Sequence, residues 1–526
     1  MTGSCHYVNA NGKHILVDYG MEQGKKRYEN APLPVSAADI DYILLTHAHI
    51  DHSGLLPYAY AKGFRGQIFA TNATAKLCNI MLRDSAHIQA FEAEWRNRKA
   101  RRNSNIDSFV PLYTMEDADG AIRLLTSVNY GELVTIADGI EARFTDVGHL
   151  LGSAAIELYV TEGEEKRKIV FSGDVGNTDQ PIIKDPEFLD GADYVLIEST
   201  YGDRLHSDEK PDYVEELAVI LNRTFERGGN VVIPSFAVGR TQELLYFIRE
   251  IKEQGLVHGF EDFPVYLDSP LAVDATSIFQ KSSLECYDED ATALIRRGIN
   301  PIAFPNLNLS ITPDDSKNIN IDDEPKVIIS ASGMCDAGRI RHHLKHNLWR
   351  RESTILFVGY QSEGTLGRAL VEGAKTVKLF GEEISVNADV RILTGLSGHA
   401  DRNGLINWLK GSFDPEKTKR VFVVHGDDKV TDAFAELINR EYGFKSYAPY
   451  SGTSFDLIKD EFITEAVGKP VQHKTFEKVR VSTVFERLLA AGERLLRIIR
   501  KNEHGANKDL ARFADQINSL SDKWDR

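Results

Sequence analysis

Within six positions the chain places four residues of metal-binding type, His47-Ala-His49-Ile-Asp51-His52. Alternate residues of an extended segment point the same way, so His47 and His49 share one side. A turn into a helix then aims Asp51 and His52 at a neighbouring point. One four-coordinate ion with an open position cannot use all four, so the spacing predicts two ions. Imidazole and carboxylate donors with no thiolate nearby favour Zn²⁺ and tolerate Mn²⁺, Fe²⁺ or Co²⁺. Two cations in one cleft lower the pKa of a shared water and clamp a phosphoryl oxygen, which suits phosphoester hydrolysis.

These residues need a rigid support, and short apolar runs supply one. The run 42–46 reads as a buried strand ending at His47, with similar runs at 168–172, 194–197, 230–234, 265–267, 326–330, 354–358, 390–393 and 421–424. Several lead into Gly- or Asp-rich loops and then a helical pattern, which predicts an α/β protein with ligand groups at strand ends. Residues 1–20 read as a hairpin around the Asn9–Gly12 turn. Past residue 456 the period becomes helical: Phe485, Leu488, Leu489, Gly492, Leu495, Leu496 and Ile499, then Leu510, Phe513, Ala514, Ile517 and Trp524. With Gly505 as a cap between them, they predict a helical hairpin.

Composition narrows the class. The 526 residues carry 62 Lys+Arg against 78 Asp+Glu, a net charge of −16, which argues against coating nucleic acid through bulk charge and leaves room for a local basic cleft. A 42% hydrophobic, 27% charged chain is globular rather than disordered. No run approaches the ~18 apolar residues of a membrane span, and the polar start is no signal peptide. Cys5, Cys78, Cys286 and Cys335 lie far apart, which argues for a reducing compartment. The expectation is a cytoplasmic protein with no membrane partner.

His-x-His-x-Asp-His resembles the signature of the metallo-β-lactamase superfamily. His149 in DVGHLLGSAA and Asp174 in VFSGDVGN resemble its third and fourth motifs, and Asp18 in LVDYG its first, with Tyr19 where Cys is usual. The resemblance implies that His47, His49 and His149 hold one metal and that Asp51 and His52 hold the other. Asp174 would bridge them and Asp18 would orient the ligands from behind. It also implies an αββα sandwich.

Three further segments resemble motifs A, B and C of the β-CASP group, the nucleic-acid-cutting branch: Glu198 in IESTYGD, His399 in LSGHADRNGL and His425 in VFVVHGDD. The resemblance covers about residues 1–455. It divides the chain into a lactamase-like part at 1–205, an inserted doubly wound β-CASP domain at 206–370, a return at 371–455 and a helical extension at 456–526. It implies that His425 is a ligand of the second metal, and that Glu198 and His399 form a catalytic dyad beside Asp51. RNA-acting members resemble this chain in carrying His at motif C, so RNA, single-stranded by preference, is the expected substrate. Hydrolysis would leave 5′-phosphate and 3′-hydroxyl ends. A DNA nuclease on the same scaffold and a non-cutting RNA-binding subunit are the alternatives.

The insert's glycine loops offer backbone N–H groups at helix starts, a sequence-independent way to hold phosphate. Ser332-Gly333-Met334 precedes an expected helix over 336–347, and Gly364 and Thr365 precede the next. Arg240, Arg339 and Arg368 sit near these turns as further phosphate contacts. The run Arg96, Arg98, Lys99, Arg101, Arg102 reads as a solvated helix face or a substrate path. His342, His343 and His346 read as helix-surface residues, with His342 or His343 able to reach substrate. The amphipathic tail is expected either to cover an apolar surface of its own chain or to make a subunit contact, as in a homodimer.

Overall fold

The computed structural model describes residues 3–24, 27–102, 109–206, 211–471, 484–503 and 507–524, with side chains omitted at 99–102, 484–487 and 507. Lys99, Arg101, Arg102, Phe485 and Gly505 therefore lie outside the described residues or side chains.

Two sheets face each other. One runs His6–Ala10, Lys13–Val17, Tyr42–Leu44, Gln67–Thr71 and Leu125–Val128 in that order. The other runs Ser446–Tyr447, Arg420–Val423, Tyr194–Ile197, Glu165–Phe171, Ala154–Glu162, Ile140–Asp146 and Leu133–Ala137. The first hairpin closes through Asn11 (φ 49°) and Gly12 (φ 67°), both left-handed, which matches the twist of its strands.

Alternation along the strands assigns each side chain to a layer. Ile15, Val17, Leu44, Phe144, Ile169 and Phe171 fill the space between the sheets. Val170, Val195 and Val421 turn the other way, onto Leu405, Trp408 and Phe434 of the helices Arg402–Ser412 and Asp428–Tyr442. Ile43, Leu45 and Ile68 pack outward against Leu56, Leu77 and Leu82. The result is helix, sheet, sheet, helix, as expected from the αββα resemblance.

The insert has its own sheet, ordered Leu307–Leu309, Val265–Leu267, Val327–Ser330, Val231–Pro234, Thr354–Phe357 and Asp389–Ile392, every neighbouring pair parallel. Its central strands read VVIP, VIIS and TILF without alternation because both faces are buried. Its edge strand Asp389–Ile392 lies beyond residue 370, where the motif reading ends the insert. All nine expected strands are present.

The tail forms helices Val484–Lys501 and Asn507–Trp524. The first is tied to the sandwich by the buried Ala490 and by Arg497, whose guanidinium lies 3.3 Å from Asp41. Leu488, Leu489, Leu496, Leu520 and Trp524 stay exposed. Among the described residues no helix is long and apolar enough to cross a membrane.

Asp146, at the end of its strand, is buried and accepts the Gly148 N–H at 2.9 Å. Burial pushes its carboxyl up to about 7, Gly148 opposing and Glu187 adding to the rise. An unfolded aspartate ionises near 4 while the folded one keeps its proton, so stability is full below pH 4 and falls as pH rises to about 7. Asp146→Asn, which can still accept from Gly148, should flatten this dependence. Its melting temperature should exceed that of wild type at pH 8, with the gap closing at pH 5. Parallel curves across that range would show that Asp146 does not titrate there.

Candidate metal centre

The parallel strands Glu165–Phe171, Tyr194–Ile197 and Arg420–Val423 run in register, so the residues just past their ends arrive together. Those residues are Asp174, Glu198 and His425. From the facing sheet, Asp18 and His47 follow Lys13–Val17 and Tyr42–Leu44 in the same way. Two glycines permit the approach. A Cβ on Gly20 would stand 1.6 Å from the Asp51 carbonyl oxygen, and one on Gly176 2.2 Å from the His149 nitrogen.

Asp174 lies at the centre, 2% exposed. Its Oδ2 is 3.4 Å from His47 Nε2 and 3.5 Å from His149 Nε2. Its Oδ1 is 3.2 Å from His52 Nε2 and 3.5 Å from His425 Nε2. His49 Nδ1 approaches His47 Nε2 at 3.2 Å and His149 Nε2 at 3.1 Å. Asp51 Oδ2 is 3.9 Å from His425 Nε2. Two groups able to hold a cation result: His47, His49 and His149 with Asp174, and Asp51 and His52 with His425.

The residues fit divalent ions on their own chemistry. His52 Nε2, His425 Nε2 and Asp174 Oδ1 are buried with no hydrogen-bond partner, a rare and costly condition for polar atoms unless a cation uses their lone pairs. Five imidazoles and two carboxylates without a thiolate form a borderline-to-hard donor set, suited to Zn²⁺ or a neighbouring first-row ion.

Electrostatics prepares several of these groups. Burial lowers His49 to about 3, helped by His47, and carries His149 well below its usual range, helped by His399. Both are therefore neutral, the ligating form. Burial works against the Asp174 anion, yet His52, His425 and His47 outweigh it and hold the carboxyl well below the carboxylate range.

The far ring nitrogens are tied back. Asp18 accepts from His52 Nδ1 at 2.7 Å, from Thr46 N at 2.8 Å and from Thr46 Oγ1 at 2.8 Å. Thr46 Oγ1 lies 3.1 Å from His47 Nδ1, and His149 Nδ1 donates to the Gly398 carbonyl at 3.1 Å. Ser4 Oγ meets His425 Nδ1 at 2.6 Å. Such ties fix ring orientation, so Nε2 faces inward in these four histidines. Sequence reading singled out Asp18 alone among these supports. Ser4 is 421 residues from His425 and carries no local signal.

Beside this cluster His399 Nδ1 lies 3.2 Å from Glu198 Oε1 and 3.9 Å from Asp174 Oδ2. Glu198 is fully buried, and it also accepts Val175 N at 2.7 Å and Thr200 N at 3.2 Å. Burial disfavours the His399 cation, but Glu198 and Asp174 prevail and raise its pKa to about 9.

The insert's loops differ from expectation. The helix after Ser332-Gly333-Met334 begins at Ile340, not Asp336, and Ser332 contacts Ala337 within its own loop. Gly364 takes a left-handed φ of 84°, and the Thr365 hydroxyl accepts from Arg368 N, capping its own short helix. Arg339 is bound to Asp268 at 2.7 Å and to the Ser310 and Ile311 carbonyls. Arg240 pairs with Glu243 and the Leu396 carbonyl, and Arg368 with Glu372 at 2.6 Å. His343 corrects the surface reading: it is buried, between Asp268 at 2.6 Å and Asn320 at 3.0 Å. His342 stacks on Phe380 at 4.4 Å. Arg96 and Arg98 pair with Glu92 and Glu94.

A four-layer sandwich with an imidazole and carboxylate cluster at its strand ends defines a metal-dependent hydrolase. Family comparison agrees in three places. Residues 1–63 match the metallo-beta-lactamase superfamily, 241–370 the Beta-Casp domain and 383–449 the Zn-dependent metallo-hydrolase RNA specificity domain. Ribonuclease TTHA0252 of Thermus thermophilus is 36% identical over 83% of this chain and 93% of its own length. The RNase J-like protein of Methanocaldococcus jannaschii is 30% identical over 86% and 96%, and the transcription termination factor FttA of the same organism 30% over 85% and 68%. The chain belongs to the metallo-β-lactamase superfamily and, within it, to the β-CASP group.

Removing the Asp18 carboxylate would leave His52 Nδ1 and Thr46 N without their shared acceptor. Asp18→Ala should weaken retention of divalent metal by about 10–100-fold, measured by competition with a chromogenic chelator. Unchanged affinity would mean that the His52 ring is held by other contacts.

Proposed function

We propose that this protein is a metal-dependent ribonuclease that hydrolyses RNA phosphodiesters to 5′-phosphate and 3′-hydroxyl products. The observation that carries the reading is the position of the Glu198–His399 pair. It stands 3.9 Å from the same Asp174 carboxylate that faces both groups of imidazoles. A proton donor is thus built beside a two-cation cluster. Relatives named as a ribonuclease and an RNase J-like protein, and a matched family described by RNA specificity, support RNA as the substrate.

His47, His49 and His149 would hold one ion, Asp51, His52 and His425 the other, and Asp174 both. When bound, the ions supply Lewis acidity that activates water and neutralises charge on the phosphoryl oxygens. Glu198 holds His399 through Nδ1, which leaves Nε2 as the atom that donates to the departing 3′-oxygen. Glu198 is itself fixed by two backbone N–H groups, so the imidazole has little freedom to turn.

Elemental analysis of active protein should give two transition-metal ions per chain. Asp174→Ala should lose hydrolysis and weaken both ions, because its two oxygens face the two groups. One ion per active chain, or an active Asp174→Ala protein, would remove the two-ion assignment.

The proton donor has a separate test. His399→Ala should slow cleavage by roughly 10²–10⁴-fold, with metal content and RNA affinity close to wild type. A substrate whose bridging 3′-oxygen is replaced by sulfur needs little protonation and should recover most of that rate. Equal slowing on both substrates, or loss of a metal, would make His399 a ligand or a structural residue.

A further inference from the structure

A cavity of about 260 Å³ opens beside the loop that carries His399, where the sandwich meets the insert. Ala400 and Asp401, next in the chain to His399, line it, as does Gly176, which forms a β-bridge with His399. His206, on the insert side, also lines it, and its Nε2 lies 3.0 Å from the His399 carbonyl oxygen. The His206 ring lies edge-on to Tyr201 at 5.5 Å, and Tyr201 lies edge-on to the His399 ring at 5.8 Å. An aromatic path therefore joins the proton donor to the cavity.

The lining has a definite chemistry. Phe188 and Tyr213 supply aromatic surface over the buried Trp408, while Asn177, Asn403 and Asn407 supply amides. The Asn403 and Asn407 side chains have no hydrogen-bond partner among the described residues, and the Asn177 side-chain Oδ1 accepts from Thr178 N. Among the described residues no lysine or arginine lines the cavity. Its carboxylate, Asp401, is satisfied by His206 N at 2.9 Å and Gly404 N at 2.8 Å, and so caps the helix Arg402–Ser412.

These features select the ligand class. Among the described residues a phosphate would find no lysine or arginine, and the two helix starts that border the cavity, Arg402 and Tyr213, are already capped by Asp401 and Asp212. The space is below the roughly 300–1,000 Å³ of sites for drug-sized molecules, so it suits one small planar group. Flat π-faces with free donors and acceptors at their rim match a neutral heterocycle that stacks and hydrogen-bonds along its edge, which is how unpaired RNA bases are read. We propose that this cavity is a nucleobase subsite for a nucleotide adjoining the scissile phosphate, with Asn403 and Asn407 reading the base. The inference rests on the ribonuclease reading above.

The test uses the metal-loaded full chain and an RNA pool randomised around one cleavage position. Wild type should favour one base over another by about tenfold at a single position within two nucleotides of the cut, the scale of an edge-on hydrogen-bonded contact. Asn403→Ala/Asn407→Ala changes two exposed side chains, and should bring that preference within about twofold while metal content stays at wild type. No positional preference in wild type, or one that survives the double change, overturns the subsite. A parallel arm photo-crosslinks 4-thiouridine RNA to the same protein and maps the attached peptide. Attachment within 176–189 or 402–412 on RNA that is never cut upholds the subsite and removes the ribonuclease reading. RNA that is cut but attaches elsewhere, with its profile unmoved by the double change, removes the subsite alone.

Discussion

A single buried carboxylate, Asp174, has imidazoles against both of its oxygens, His47 and His149 on one and His52 and His425 on the other. Removed from water, that anion is tolerable only because positive or polarisable partners surround it. The partners come from three separate segments, one of them carrying both His47 and His52, so the geometry exists only when both sheets are closed on each other. The between-sheet packing of Ile15, Val17, Ile169 and Phe171 is therefore also the clamp that sets distances in the site. Neither donor group is complete within one local segment, so the site assembles only as the chain folds.

Bringing loops to one point has a local backbone cost. Asp18, His149 and His425 take left-handed conformations, with φ of 60°, 64° and 49°. Each such residue costs roughly 1–2 kcal/mol against a right-handed alternative. None is glycine, because each must carry a functional side chain, and the surrounding hydrogen bonds hold the conformation. Asp18 has Thr46 and His52, His149 has the Gly398 carbonyl, and His425 has Ser4. Unfavourable backbone gathered at the site and overdetermined by its neighbours is a common mark of functional positions.

The residues of the cluster were legible from sequence because their signal is local: four of them fall within six residues, Asp174 and His425 each follow a short apolar run, and His149 was marked by its motif. The nine strands were legible for the same reason, as uninterrupted apolar runs need no partner to be recognised. Supports were not. Ser4 reaches His425 across 421 positions, and Tyr201 and His206 gain meaning only beside His399. The insert's arginines misled for a related reason. Arg339 looks available beside a glycine loop until Asp268 arrives 71 residues away, and the same carboxylate draws His343 into the core. The strand Asp389–Ile392 joins the insert because its pairing partner is Thr354–Phe357, a fact of register rather than of composition.

His399 belongs by distance to a third cluster with Asp174 and Glu198 that could in principle take a cation. Three features argue against that use. Glu198 Oε1 already accepts both Val175 N and His399 Nδ1, and its Oε2 accepts Thr200 N, so little of its lone-pair capacity is left for an ion. Its neighbour Asp174 is aimed at the other imidazoles. Glu198 and Asp174 also overcome burial and lift His399 to about 9, which favours the protonated ring. His49 and His149 are pushed the opposite way, towards the neutral form a metal needs. Burial is common to all three rings, so the difference comes from neighbours: His399 has a carboxylate at hydrogen-bond distance, while His49 and His149 have other imidazoles. A carboxylate behind a ring is not by itself the mark of an acid, since Asp18 stands 2.7 Å from His52 and helps raise it well above its usual range. His52 differs in turning a buried, unpartnered Nε2 towards Asp174.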